Sequence, residues 1–158
     1  MNAEAQLQMV ACRLVALSVQ YDDAALRADR WDDAYEVRAN ADWYATDEPQ
    51  AWMVQLTLRL KPKPGTVARF TRANISVQGR FVVSVGPPDQ QVTQLLVYNA
   101  PAMLHGLARG VLAQVTGLCV GGPLILPAVN YLQLFKRYIG RLKRQGKKEV
   151  SQAQGSHA

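Results

Sequence analysis

The side chains in this sequence with the most chemical potential are two cysteines, two histidines and two acidic pairs. Cys12 and Cys119 lie far apart, and neither belongs to a CxxC or Cys/His spacing that would hold a metal. They read as structural thiols in a reducing cytoplasm rather than as a disulfide framework. His105 falls inside an apolar helical pattern and His157 near the end, with no partner motif for either, so no metal site is expected. Asp22–Asp23 and Asp32–Asp33 sit in the polar segment DDAALRADRWDDA at 22–34, where carboxylates cap turns or face water. Residues 51–158 contain two acids, Asp89 and Glu149, which leaves no carboxylate pair there for acid/base work. A nucleophile elbow and a phosphate loop are also missing from the sequence. The pattern points away from an enzyme and toward a binding protein without a cofactor.

The net charge of +6 is unevenly spread. Residues 1–50 hold ten acids and four bases, whereas residues 51–158 hold two acids and fourteen bases. Much of the excess lies in KRYIGRLKRQGKK at 136–148, which suits a solvated helix end but also raises nucleic acid as a partner. A basic RNA- or ribosome-associated module is the alternative of a different class. It lacks the interleaved aromatic and basic residues of a base-stacking strand face.

At 158 residues the chain reads as one domain over 1–145, with a tail at 146–158 that lacks apolar pattern and is expected to be disordered. MNAEAQLQMVACRL at the N-terminus has no basic region leading into an apolar one, so no secretory leader is expected. The elements that position any site begin with alternation. VALSVQY (15–21), YEVRANADW (35–43), WMVQLTLRLK (52–61) and a run from Val67 to Val85 each place apolar residues at every second position. Period two means strands with one wet face, hence an antiparallel sheet. Gly79 interrupts the fourth run and suggests a bulge or bend. After GPPDQQ the period lengthens. Leu104, Leu107, Val111, Val115 and Leu118 predict a helix over 100–118, with Asn99 as cap and Pro101 in the first turn. VGGPLILP (120–127) breaks it, and a second helix is expected over 128–144 on the stripe Leu132, Phe135, Ile139, Leu142. The fold class is α+β: four strands, then two helices joined by a Pro/Gly-containing crossover loop.

From Gly110 to Phe135 the chain runs 26 residues without a charge. That is long enough for a membrane, but Gly121, Gly122, Pro123 and Pro127 stand in its middle, where lipid would face unpaired backbone. It divides instead into the end of one helix, an apolar loop and the start of the next. Large apolar residues on such a loop predict a binding groove or a subunit interface.

YNAPAMLHGLARGVLAQVTG and PLILPAVNYLQLFKRYI together resemble the C-terminal half of the SecB export-chaperone family. The matching positions are Asn99, Pro101, Ala108 and Arg109 on the first helix, then Leu126, Pro127, Val129, Asn130, Tyr131, Leu134 and Phe135. SVQGRFVVSVG at 76–86 is similar to the end of that family's fourth strand, and the resemblance spans about residues 12–142. It implies a cytoplasmic, ATP-independent holdase for protein transport, a homotetramer built as a dimer of dimers. Unfolded, translocation-competent clients would lie in apolar grooves, here Leu124, Ile125, Leu126, Tyr131, Leu134, Phe135 and Tyr138. The first helix would pack between dimers through Met103, Leu104, Leu107, Val111 and Leu112.

The family docks the SecA motor on strand carboxylates. The first-strand positions fall here at Ser18 and Asp22, and only Asp22 is acidic; the fourth-strand position falls near Asn74 or Ile75, beside Arg72 and Arg80. SecB-like relatives also protect labile antitoxins in toxin–antitoxin modules, so an antitoxin is the alternative client.

Overall fold

The computed structural model describes residues 7–84, 90–134 and 136–137. Four strands, β1 (Leu7–Tyr21), β2 (Tyr35–Ala45), β3 (Ala51–Pro62) and β4 (Phe70–Val83), precede a long helix, α1 (Gln90–Thr116). The strands form one antiparallel sheet in the order β1-β4-β3-β2, so β1 and β2 are its edges. This is the expected α+β arrangement. The tail at 146–158 lies outside the described residues, as do 135 and 138–144 of the expected second helix.

β2 and β3 pair without a break from Tyr35↔Pro62 to Ala45↔Trp52, because their alternation is unbroken. Val54, Leu56, Leu58 and Leu60 of β3 are fully buried, while Gln55, Thr57 and Arg59 point the other way. β1 is longer than the alternation in VALSVQY predicts. Register shifts between Met9 and Ala11, and between Leu14 and Ala16, flip its parity twice. Its inward set is therefore 7, 9, 12, 14, 17, 19, which no single period describes.

Gly79 is not a bulge in β4: it pairs in register with Val54. A Cβ there would come within 2.8 Å of the Phe81 ring and 3.0 Å of Leu104 Cδ2, so the glycine permits close approach of α1 to the sheet.

α1 starts ten residues before the expected 100, and Pro101 lies inside it instead of in its first turn. Its buried stripe is Leu96, Ala100, Leu104, Ala108 and Leu112, one residue every fourth position, ending at buried Thr116. That continuous contact with the sheet offsets the roughly 3 kcal/mol an interior proline costs. The expected stripe was set too far round the helix: Val115 is exposed, and Leu118 lies beyond the helix, 93% exposed. None of the helices among the described residues is long and apolar enough to cross a membrane.

Candidate functional site

The crossover loop after α1 is fixed by polar groups, of which Arg69 and Thr116 are buried. Arg69, adjacent to the start of β4, carries a side chain only 3% exposed. Its Nη1 donates to the backbone carbonyls of Val120 (2.7 Å) and Gly122 (2.8 Å), and its Nε donates to Asp33 Oδ2 (2.7 Å). Arg69 Nη2 and Asp33 complete a two-pronged ion pair, and the guanidinium lies over the rings of Trp31 and Phe70. Burial pushes the Asp33 carboxyl up, but the hydrogen bonds from Arg69 and Tyr35 outweigh it and hold the group below its ordinary range. Burial also pushes the Tyr35 hydroxyl up to about 12, and it donates to Asp33 while accepting from the Phe70 amide. Gly121, with φ of 85°, sits where any Cβ would strike Arg69 Nη1 at 2.8 Å.

Two further contacts hold the loop. Thr116 Oγ1 donates to the Leu112 carbonyl (2.6 Å) and accepts from the Leu124 amide (2.7 Å). The Tyr21 hydroxyl is hydrogen-bonded to the Cys119 thiol, a free cysteine like Cys12. So anchored, the chain from 123 to 130 carries no regular secondary structure. Leu124 and Leu126 turn into the core, at 2% and 1% exposure, while Ile125 faces outward at 49%.

Beyond the loop, Asn130 caps a helical segment at 131–134 and 136–137: its Oδ1 accepts from the Gln133 amide (3.2 Å). This helix starts at Tyr131 rather than at 128. His105 Nδ1 on α1 and the Tyr131 hydroxyl share a 2.6 Å hydrogen bond, which ties the segment back to the long helix. Burial and the nearby charge of Arg109 push the His105 pKa down, only partly countered by the Pro127 carbonyl. Burial pushes Tyr131 up.

The sign of the histidine shift fixes a pH effect. Folded His105 resists protonation, whereas the unfolded chain takes a proton near the ordinary value of 6.5. Stability is therefore full above about pH 6.5 and falls as pH drops through the depressed folded value. Urea titrations between about pH 7 and pH 5 are expected to show that loss, and His105→Gln to flatten it. The lowered Asp33 acts in a separate window, below its ordinary 3.8.

Between this segment and the outer edge of β2 lies an open groove of about 810 Å³. Tyr35 to Asn40 form one wall, Pro127 to Asn130 with Gln133, Leu134 and Arg137 the other, and Lys63 lies at one end. Of the seven side chains expected in a groove, Leu134 lines this one. Leu124 and Leu126 are buried in the core. Ile125 points outward elsewhere, Tyr131 is engaged by His105, and Phe135 and Tyr138 lie outside the described residues. The β2 side of the groove and the Arg69 anchor were not singled out in the sequence. An arginine between Ala68 and Phe70 was the available signal for the second.

On α1, Leu104 and Leu112 are spent inside the chain, while Met103 is exposed and Leu107 and Val111 are half-buried. Asp22 is engaged locally, with Oδ1 accepting from the amides of Ala24 (2.9 Å) and Ala25 (3.2 Å). Among the described residues no group of His, Cys, Asp and Glu is placed to hold a metal ion.

The fold is similar to that of a solved SecB-like chaperone. A SecB-like chaperone from Mycobacterium tuberculosis, solved in complex with a ChAD peptide from the HigA1 antitoxin, superposes with a TM-score of 0.54 over 79% of this chain and 91% of that one, at 15% identity. A protein of unknown function from Streptococcus agalactiae aligns over 80% of this chain and 100% of its own, at 10% identity and a TM-score of 0.46. No protein-family model matches the sequence. No curated protein matches it either.

Proposed function

We propose that this chain is an ATP-independent chaperone that holds extended polypeptide segments in the groove beside β2. The observation that carries the reading is that groove's position along a sheet edge. An edge strand presents backbone N–H and C=O groups to any partner chain, whatever its side chains. Val37, Ala39, Val129 and Leu134 supply apolar contact, and Glu36, Arg38, Asn40 and Lys63 keep the edge soluble between clients. Such a site reads backbone and burial, and needs no nucleotide.

Within that reading the chain works in the cytoplasm and assembles as a homotetramer, with Met103, Leu107 and Val111 as the helical contribution to the interface. A dedicated antitoxin client is the second reading, favoured over export by the antitoxin peptide in the M. tuberculosis complex and by the loss of a carboxylate at Ser18. SecA docking on Asp22 is correspondingly the weaker expectation.

Dilution of a denatured model client into buffer without ATP tests the function. Aggregation is expected to be suppressed at a few-fold molar excess of this protein, and no suppression would sink the proposal. Gln133 is exposed on the groove wall, so Gln133→Trp is expected to plug the groove without touching the core. Client affinity measured by fluorescence anisotropy should then fall by about tenfold.

A further inference from the structure

We propose that the outer face of the sheet, at the end carrying Arg38, Arg59, Lys61 and Arg72, is a docking surface for an acidic polypeptide segment. All four side chains are exposed, and all lie on the face opposite the side that holds half-buried Ala39 and buried Leu58, Leu60 and Ala73. Arg38 stands directly across from Arg59 in the β2–β3 register. Lys61 directly follows, and Arg72 directly precedes, the last β3–β4 pair, Leu60↔Ala73. Like charges placed opposite each other weaken a sheet. No ion pair relieves them here: among the described residues the ion pairs are Arg69–Asp33 and Arg80–Glu48. Glu36, opposite Lys61, is the nearest carboxylate in register and leaves the patch with a net excess of three positive charges.

The rest of the face is different in kind. Toward the other end Thr57 bonds Ser76 (3.1 Å), Arg13 bonds Gln78 (2.8 Å), and Asp42 sits across from Gln55. Basic charge is thus concentrated where, among the described residues, Glu36 is the one carboxylate in register to answer it.

Carboxylates fit the patch better than a phosphate backbone. Arginine forks match carboxylates two bonds at a time. The patch is about 10 Å across three strands and about 7 Å along them, enough for two to four carboxylates but short of a nucleic-acid track. Glu36 interrupts a continuous polyanion path, and among the described residues none of the four cations has an aromatic register partner on this face for base stacking. Arg38 also borders the groove, whereas Arg59 and Arg72 do not, so the two surfaces can be tested apart.

The test is fluorescence anisotropy at low salt with a labelled short peptide carrying four consecutive Asp and Glu residues. The Asn/Gln version of that peptide and a single-stranded oligothymidine are the comparison probes. The acidic peptide is expected to bind, and Arg59→Gln/Arg72→Gln to weaken it by about tenfold while client holding in the groove is unchanged. Arg13→Gln/Arg80→Gln, which removes the same charge from the other end, should change it by less than about threefold. Removing Arg59 relieves repulsion, so the patch variant should melt no lower than the parent. Absent binding, equal loss in both double variants, or tighter binding of the oligothymidine lost in the patch variant would each overturn the proposal.

Discussion

Replacing Arg69 with methionine is expected to lower stability by about 3–5 kcal/mol, the range for a buried ion pair that loses one partner. The size follows from what is left behind. The side chain is nearly sealed from solvent and satisfies two loop carbonyls, at Val120 and Gly122, besides the Asp33 carboxylate. Methionine fills the space between Trp31 and Phe70 but donates nothing. The two carbonyls and part of the carboxylate then go unanswered, each a cost of about 1–3 kcal/mol. Arg69→Lys keeps the charge but has no fork to reach Asp33 and both carbonyls together, so an intermediate loss is expected. Urea denaturation at neutral pH measures both. A loss below about 1 kcal/mol for the methionine variant would mean that the anchor is dispensable.

The second large effect separates neighbours on the crossover loop. Leu126→Ala is expected to cost about 2–5 kcal/mol, because a core leucine is removed and a cavity is left. Ile125→Ala, one residue away and half exposed, should stay within about 0.5 kcal/mol. Leu126 also forms part of the core beneath Tyr131 and Leu134, so its truncation should loosen the groove wall and weaken client holding as well. Ile125→Ala should leave holding intact. If Ile125 proved the costlier of the two, the loop would be seated the other way up.

The contrast between those residues shows why parts of the site could not be read from the sequence. A strand announces its faces by alternation, and β2 and β3 did so clearly: Val54, Leu56, Leu58 and Leu60 turn in together. Alternation in VGGPLILP was masked because all three of Leu124, Ile125 and Leu126 are apolar, so only the backbone path decides which one faces out. On β1 the two register shifts scrambled a period that its residues otherwise obey. On α1, small Ala100 and Ala108 mark the face closest to the sheet, while the larger Leu107 and Val115 drew attention to a flank. Charge misled at Arg69, which belongs to the basic excess by composition but to the core by position. The groove was expected on loop and second-helix residues alone; its β2 wall depends on which strand ends up at the edge, a property of topology rather than of local pattern.

Holding an extended client against β2 makes one demand that no other placement shares. A photo-crosslinking residue at Gln133, on the groove wall, should capture a denatured client efficiently in the absence of nucleotide. The same residue at Gln78, on the polar outer face of the sheet, should capture little. Crosslinks at 133 that disappear when an unlabelled client is added in excess are the expected result. Equal capture at both positions, or capture at 78 alone, would contradict the groove as the proposed client site.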